Sequence, residues 1–391
     1  MIETNLNLLA NPVELTKALV DIPSPSHHEE EIANAVEAAL RKLASDAAQY
    51  QPERSIEVQR FGNTICARTS RGFNSRVVLA GHIDTVPIAD NVPHTMQSGP
   101  EGDVMWGCGT VDMKSGMACY LHAFAALATS DDLCHDLTLI AYEGEEVASE
   151  FNGLGHLQSD NPEWLAGDLA LLGEPSGAMI EAGCQGTIRL RVTAYGQRAH
   201  SARGWLGSNA AHTLAPVIQK VADYQPDDVE IDGLLYREGL NIVHLESGVA
   251  TNTIPDVAWM FVNYRYAPHR TSAEALTHML DVLGLQPEQE APFGEVPAEF
   301  GVRYEIDDIA SAAQPGLAQP AAAALIDAVG GNVRAKFGWT DVARFSELGT
   351  PAVNFGPGDP GFAHKKDEQC PISDITQVAE QLCAYLTTPQ S

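Results

Sequence analysis

Basic residues are scarce in this chain. Lysine and arginine together number 23 among 391 residues, against 52 aspartate and glutamate residues, which gives a formal net charge of −29 at pH 7. Such a charge repels nucleic-acid backbones and anionic lipid headgroups, so it excludes a general nucleic-acid binder and argues against docking on a membrane surface. We therefore expect no nucleic-acid partner and no membrane partner, and a chain suited to collecting cations.

Long apolar runs and paired cysteines are also missing. No stretch approaches the ~20 apolar residues that span a bilayer, and the first residues have no basic start followed by an apolar segment, as a secretory signal would. The seven cysteines are scattered, odd in number and without a C-x-x-C pair. Reduced thiols are the simplest interpretation, and we expect a cytoplasmic protein.

Short apolar runs alternate with helical patterns along much of the chain. Strand-like runs that end abruptly in polar or glycine residues occupy 77–80, 137–142, 169–172 and 352–355. Helical spacing runs from Ile32 to Leu43, with Ser26 and Glu29 placed as a capping box, and again after Asp112. Continuous apolar strands between helices predict an α/β sheet that is covered on both faces.

The texture of the sequence changes near Thr187. From there apolar and polar residues alternate, as in 188–193, which is typical of a half-solvated antiparallel strand. At about 100–200 residues per domain, a chain of this length has room for two or three domains. We predict a larger α/β domain of residues 1–186 and 313–391, interrupted by an inserted α+β domain of residues 187–312.

Acidic and histidine residues follow the predicted strands of the larger domain. They are His82, Asp84, Glu145, Glu146, Glu174 and His364, together with Asp112 in a glycine-rich loop before a helix. Sites in open α/β sheets form outside the carboxyl ends of strands, so these side chains should meet at one edge. Imidazole and carboxylate groups together suit zinc or a similar ion. Taken singly, each has an ordinary alternative: Asp112 could cap its helix, and Asp84 could stabilise a turn.

Four ordered motifs carry a family resemblance. They are G-H-I-D-T-V-P at 81–87, G-C-G-T-V-D-M-K-S-G at 107–116, E-E at 145–146 and G-E-P-S at 173–176. Together they resemble the M20-type co-catalytic zinc amidohydrolases and peptidases, in order and over nearly the whole chain. The resemblance implies a mixed-sheet, zinc-exopeptidase-like catalytic domain with an inserted lid or dimerisation domain, and a homodimer.

The resemblance also implies a dinuclear zinc centre. Asp112 would bridge two zinc ions, while His82 and Glu174 would complete one site and Glu146 and His364 the other. Cobalt or manganese could replace zinc at one of the sites. The peptide bond after Asp112 would be cis.

Further residues would act on the proton and the substrate. Asp84 would hydrogen-bond the ring of His82, and Glu145 would be the general base. His200, in the inserted domain, would reach across a dimer interface or over a closing lid to stabilise the oxyanion, although a surface histidine in a turn is its ordinary alternative. The substrate carboxylates would be bound by Asn252, Arg265, Thr340 and the backbone near Gly356.

The chain departs from the family pattern just before Gly186. Many relatives carry a basic pair there, whereas this chain has Cys184 and Gln185, so one expected carboxylate contact lacks its residue. Arg203, shortly after the predicted oxyanion histidine, is a candidate substitute.

The stretches 337–345 and 354–368 resemble one branch of the family, and they favour a particular reaction. That reaction is hydrolysis of the succinyl amide of N-succinyl-LL-diaminopimelate, a small anionic N-acyl amino acid. Deacetylation of N-acetylornithine, aminoacylase or carboxypeptidase activity on the same machinery, and a non-catalytic ligand-binding relative, are the alternatives. A serine hydrolase and a single-zinc helix protease are not supported, because G-x-S-x-G and H-E-x-x-H are both missing.

Overall fold

The computed structural model describes residues 6–99 and 102–389. Within this part of the chain, two compact units separate. The first unit draws on Met1–Gly183, Pro315–Arg334 and Asp341–Ser391, and the second comprises Cys184–Gln314 and Ala335–Thr340. The short segment Ala335–Thr340 thus groups with the second unit, although the sequence analysis assigned it to the larger domain. Residues 1–5, on which the expectation of no secretory signal rests in part, lie outside the described residues.

The strands and helices have the following bounds. The strands are β1 Ile56–Phe61, β2 Thr64–Thr69, β3 Arg76–His82, β4 Thr95–Gly99, β5 Gly102–Trp106, β6 Asp136–Tyr142, β7 Leu169–Leu172, β8 Ile180–Ala182, β9 Gly186–Tyr195, β10 Ala199–His200, β11 Asp228–Ile231, β12 Leu234–Arg237, β13 Gly239–Ser247, β14 Thr253–Ile254, β15 Val257–Tyr266, β16 Val302–Ala310, β17 Val333–Ala335, β18 Ala352–Asn354 and β19 Gln369–Pro371. The α-helices are α1 Pro12–Val20, α2 Glu30–Tyr50, α3 Lys114–Leu127, α4 Gly153–Asp160, α5 Ala210–Asp223, α6 Ser272–Leu283, α7 Pro320–Ala328, α8 Val342–Glu347 and α9 Ile372–Leu386. Short 3-10 helices occupy Pro52–Arg54, Ser149–Phe151, Pro162–Trp164, Ser201–Leu206, Pro287–Gln289 and Pro360–Phe362.

A mixed eight-stranded sheet forms the centre of the first unit. Its order is β1-β2-β6-β3-β7-β18-β8-β17. Strands β6, β3, β7 and β18 are parallel neighbours, while β1 and β2 at one side and β8 at the other pair antiparallel. Strands β6 and β7 are buried along their whole length, as a sheet with both faces covered requires. The predicted α/β fold with a mixed sheet is confirmed.

The parallel strands bring the predicted chemistry to one edge. Strand β3 ends at His82, β6 at Tyr142, β7 at Leu172 and β18 at Asn354. Because parallel neighbours end on the same side of a sheet, the loops that follow these strands leave from a common edge. Each of these loops carries predicted site residues.

The predicted capping box at the start of α2 is wrong. The helix begins at Glu30, and its N-cap residue Glu29 makes no side-chain capping bond. Ser26 instead donates its hydroxyl proton to Asp84 Oδ2 over 2.7 Å, and Glu29 Oε1 accepts the backbone N–H of His27. The Ser26 hydroxyl therefore bonds to Asp84, 58 residues away in the sequence, and not to the start of the helix.

Helix α3 starts directly after the glycine-rich loop and packs closely against the loop that follows β7. Its N-cap residue is Met113, without a side-chain cap, so Asp112 does not act as the helix cap. The peptide bond between Asp112 and Met113 is cis, as the resemblance implied. A Cβ atom at Gly116 would lie 1.9 Å from the carbonyl oxygen of Gly173, so only glycine permits this approach.

The second unit is built on a four-stranded antiparallel sheet of order β13-β15-β9-β16. Helices α5 and α6 pack with the inward side chains of β9 and β15 in a single apolar core. Strand β15 alternates buried and half-buried residues along its whole length, which matches the half-solvated pattern in the sequence. Asn209 caps α5, and a capping box of Thr271 and Glu274 starts α6.

Across residues 6–99 and 102–389, every helix is too short or too polar to cross a bilayer.

Candidate metal centre

His82 lies buried at the end of β3, held between two aspartates. Its Nδ1 atom is 3.0 Å from the carbonyl oxygen of Asp84 and 3.3 Å from Asp84 Oδ1, while Nε2 is 3.2 Å from Asp112 Oδ1. Burial works to lower the pKa of His82, but the hydrogen bonds with Asp112 and Asp84 raise it well above its ordinary value. With Nδ1 directed at acceptors, Nε2 is the atom placed to bind a metal.

Asp84 organises several segments around this histidine. Its Oδ1 accepts the backbone N–H of Glu145 and its Oδ2 accepts that of Glu146, each over 3.1 Å, in addition to the Ser26 hydroxyl. Burial works to raise the pKa of Asp84, but these bonds and His82 hold it below its usual value. The carboxylate therefore fixes the backbone of both glutamates as well as the histidine ring.

Asp112 places one carboxylate oxygen toward each of two histidines. Oδ1 faces His82, and Oδ2 lies 3.3 Å from Nε2 of His364, which is also 2.9 Å from Glu146 Oε2. Burial works against ionisation of Asp112, yet the hydrogen bonds with His364 and His82 keep its pKa below its ordinary value. Hydrogen bonds with Asp112 and Glu146 raise the pKa of His364 to about 10.

The donor set at this edge fits a metal ion. One ligand atom from each of His82, Asp112 and Glu146 lies within 4.8 Å of the other two. Glu146 Oε1 is buried and has no hydrogen-bond partner within the described chain. A buried carboxylate oxygen without a partner is costly, and a cation would satisfy it. Glu174 is buried in the loop after β7, beside the strand that ends in His82.

Glu145 precedes the candidate ligand Glu146 in the chain, and the pKa of its carboxyl group is raised. Burial raises its pKa well above the ordinary value; the charge of His82 opposes this, while the charges of Glu174, Asp341 and Glu146 add to it. A carboxyl group whose pKa is raised above its ordinary value suits proton transfer better than an ordinary exposed glutamate. Asp84 holds the backbone N–H groups of both glutamates. In this arrangement the carboxylate of Glu146 contacts His364, and that of Glu145 remains available for proton transfer.

The second unit carries most of the predicted substrate residues. His200 is exposed in β10, and its Nδ1 accepts the backbone N–H of Ala202 over 3.0 Å. Asn252 is exposed in the loop after β13, and its carbonyl oxygen accepts the N–H of Ser201. Arg265 is half-buried in β15, opposite Thr187 of β9, and burial lowers its pKa.

The remaining predicted residues have contacts of their own. Thr340 is buried on the segment that groups with the second unit. Gly356 lies in the first unit and donates its N–H to Ser176 Oγ over 3.0 Å, so this N–H is already engaged within the chain. The role of Gly356 in substrate binding stays a prediction. Gln185 is buried, and its side-chain amide donates to the carbonyl oxygen of Arg237 over 2.6 Å. Arg203 is exposed in the 3-10 helix after β10.

Sequence reasoning missed two residues that hold the site. Ser26 donates to Asp84, and Glu368 accepts the backbone N–H groups of Val111 and Asp112. Burial raises the pKa of Glu368 to about 7, although these backbone contacts oppose the rise. The sequence did contain one signal for Glu368. It is the last residue of the family-like stretch 354–368, which also contains the predicted metal ligand His364.

Comparisons with known proteins match nearly the whole chain. A model of the family described as Peptidase family M20/M25/M40 matches residues 78–388. The chain is 57% identical to a protein named succinyl-diaminopimelate desuccinylase from Corynebacterium glutamicum, over 99% of each chain.

Solved structures share the fold at low sequence identity. A tripeptidase from Staphylococcus aureus superposes with a TM-score of 0.71 at 19% identity, over 98% of each chain. A Bacillus subtilis protein described as a dinuclear metal-binding peptidase of the M20 family has a TM-score of 0.64 at 15% identity, over 97% of each chain.

Proposed function

The chain belongs to peptidase family M20/M25/M40, and on that premise we propose that it is a succinyl-diaminopimelate desuccinylase. It hydrolyses the succinyl amide of N-succinyl-LL-diaminopimelate to succinate and LL-diaminopimelate, a step toward lysine and cell-wall precursors. The observation that carries the reaction is the cluster of His82, Asp112, Glu146 and His364 with Glu145 beside it. The full-length similarity to the corynebacterial enzyme supports the choice of substrate.

The metal centre proposed here holds two zinc ions. Asp112 would contribute one oxygen to each, with His82 and Glu174 completing one site and Glu146 and His364 the other. The arrangement of Asp112 between two histidines supports this division. Two bound ions would polarise the amide carbonyl and lower the pKa of a nearby water toward neutrality. Cobalt or manganese at one site is compatible with the same donors.

Glu145 is the proposed proton carrier. It takes one proton from the attacking water as the water oxygen bonds to the amide carbon. It then delivers that proton to the amine nitrogen as the carbon–nitrogen bond breaks. The second water proton, left on the new carboxyl group, passes to the same amine, so that succinate leaves as a carboxylate and diaminopimelate as an ammonium group. The raised pKa of Glu145 supports this exchange, because a carboxyl group with a raised pKa holds the proton more readily until the amine takes it.

His200 is the proposed donor to the oxyanion, contributed by a partner subunit or by a closing lid. Its Nδ1 accepts a backbone N–H, so a neutral ring carries its proton on Nε2. An exposed Nε2–H on a ring held in this way is a preorganised donor for the charge that develops on the carbonyl oxygen.

The substrate carboxylates need local positive charge in a chain whose net charge is −29. Arg265 supplies it in our proposal, since a guanidinium group binds a carboxylate through two parallel hydrogen bonds. Its half-burial in β15 supports this role, because a partly desolvated arginine gains more from an anionic ligand. Asn252 and Thr340 would add neutral hydrogen bonds.

A homodimer is the assembly that we propose. Strand β13 is the outermost strand of its sheet, and Val243 and Leu245 on it are 58% and 53% exposed. An apolar edge strand is a liability unless something covers it, and a second copy of the same strand would extend the ladder.

A reducing, cytoplasmic setting is also proposed. Among the described residues, which include all seven cysteines, no disulfide forms, and Cys66, Cys119 and Cys184 are buried as small apolar side chains. Unpaired cysteines in this number are typical of proteins from compartments that keep thiols reduced.

The test measures amine release by the zinc-reconstituted protein on N-succinyl-LL-diaminopimelate, with N-acetylornithine in parallel and a chelator-treated sample as control. We expect turnover of the succinyl substrate that chelation removes and zinc restores. Turnover of N-acetylornithine instead would support the proposed metal-dependent mechanism but contradict the proposed substrate. A zinc-bound protein silent on both would contradict the proposed substrate, and a protein that binds no zinc would contradict the catalytic proposal itself.

A further inference from the structure

Glu368 is a buried carboxylate that the proposed reaction does not use. It is 1% exposed, and its Oε1 atom accepts the backbone N–H of Val111 over 2.8 Å and that of Asp112 over 3.0 Å. Its own backbone oxygen accepts the N–H of Gly107 over 3.1 Å. One residue therefore holds both ends of the glycine-rich loop 107–112.

These contacts are costly to lose. In its ionised form Glu368 accepts hydrogen bonds that are about twice as strong as those between neutral groups. Removing Glu368 would also leave the N–H groups of Val111 and Asp112 buried without a partner, which costs more than the bond itself contributes. Within the loop, Thr110 donates its backbone N–H and its hydroxyl to the carbonyl oxygen of Gly107, but neither bond holds the backbone of Asp112.

The clamp acts where the two proposed metal sites meet. Asp112 places Oδ1 toward His82 and Oδ2 toward His364, so the direction of its carboxylate depends on where its own backbone is held. Glu368 fixes the backbone nitrogen of Asp112 and lies four residues after His364 in the chain. It thereby ties together the two segments that carry these ligands.

We infer that Glu368 is a positioning residue for the metal centre: its hydrogen bonds to Val111 and Asp112 hold the Asp112 carboxylate between His82 and His364. Glu368 itself touches neither metal nor substrate. This inference rests on the proposed metal-dependent function, and its readout is metal affinity rather than turnover.

The experiment titrates metal-free protein with Co²⁺ and with Zn²⁺, following the visible absorption of cobalt and competition with a chelating dye. We expect Glu368→Ala to weaken metal affinity about 10–100-fold, the range typical of residues that orient metal ligands. Glu368→Gln keeps an acceptor oxygen in place and should restore affinity to near that of the unchanged protein. Glu368→Asp retracts the carboxylate by one methylene and serves if the alanine variant fails to fold.

Asp136 offers a matched control in the same unit. It is 5% exposed at the first residue of β6, the end of that strand remote from the site, and it accepts the N–H groups of Arg71, Gly72 and Phe73. Asp136→Ala also removes a buried carboxylate that holds a loop. We expect it to lower thermal stability while leaving metal affinity unchanged.

Two results would overturn the inference. One is a Glu368→Ala or Glu368→Asp variant that binds metal as tightly as the unchanged protein. The other is a loss of affinity in Asp136→Ala equal to that in Glu368→Ala, because the effect would then be general destabilisation. Failure of the unchanged protein to bind either metal is a different outcome, which contradicts the proposed metal centre.

Discussion

At the scale of single residues, the adjacent pair Glu145 and Glu146 shows how neighbours in the chain can take different tasks. Asp84 accepts one backbone N–H from each, and the loop after β6 is not helical at these two residues. Glu146 is thereby directed toward His364, while Glu145 is left beside the cluster with a raised pKa. A single buried aspartate therefore separates ligand from proton carrier.

Glu145→Gln is expected to keep the metal and lose the reaction. The amide cannot accept a proton from water, so kcat should fall about 10²–10⁴-fold while metal content stays near that of the unchanged protein. Metal analysis and amine release on the same preparation give both values. Glu143→Gln is the control, because Glu143 faces the backbone N–H of Asn63 and its amide oxygen can still accept that bond. An active Glu145→Gln variant would show that another group is the base.

His200→Ala is expected to act on the transition state. If Nε2–H stabilises the oxyanion, kcat should fall about 10²–10³-fold with little change in KM. His212→Ala removes an exposed histidine from α5 in the same unit and should leave both constants unchanged. A rise in KM alone after His200→Ala would move this residue to ground-state binding.

At the scale of elements, the sheet of the second unit is covered on its inward face but exposed along part of its edge strand β13. Its inward side chains from β9 and β15 form one core with α5 and α6. The end of β13 from Val243 to Ser247 is exposed throughout, with a register shift between Ile242 and His244. Two of the exposed side chains at this edge are large and apolar, so the edge is not protected by polar residues against pairing with another strand.

Replacing Val243 and Leu245 together by lysine is expected to yield a folded monomer. Two charges on an edge strand oppose pairing with an identical strand without disturbing the inward core. Light scattering coupled to gel filtration measures the mass, and circular dichroism checks the fold. Leu235→Lys, at a 41% exposed position on β12, is the control that should stay dimeric. A double variant that remains dimeric would place the interface elsewhere.

At the scale of the whole molecule, the candidate site joins distant parts of the chain. Its proposed ligands lie at 82, 112, 146, 174 and 364. In a chain with a net charge of −29, gathering these carboxylates adds repulsion that bound cations would relieve. Metal binding should therefore stabilise the fold of the first unit as well as enable the reaction.

Zinc is expected to raise the unfolding temperature of the chelator-treated protein. A ligand that binds only the folded state adds about 2.7 kcal/mol when its free concentration is 100 times its dissociation constant. Scanning fluorimetry across a zinc series measures the shift. Magnesium should give a smaller one, because it prefers six oxygen ligands and dehydrates reluctantly. Equal melting temperatures with and without zinc would contradict a site that links these segments.

Local pattern was sufficient for much of the fold. The apolar run at 169–172 is strand β7, and the helical spacing after Asp112 is α3, because burial on both faces of a sheet and the helical period each leave a local signature. Histidine and carboxylate residues at strand ends predicted where a site would form, since parallel strands bring their ends together. The ordered motifs identified the family.

What the sequence by itself determined was the main buried strands of the first unit, two of its helices, the edge at which the candidate site residues gather and the family of the chain. Only the tertiary structure decided which side chains hold that chemistry in place. Ser26 meets Asp84 across 58 residues of sequence and Glu368 meets Asp112 across 256, and neither pair leaves a periodic pattern. Such contacts depend on how loops from distant segments pack, so hydrogen-bond partners at the site follow from the folded backbone and not from spacing along the chain.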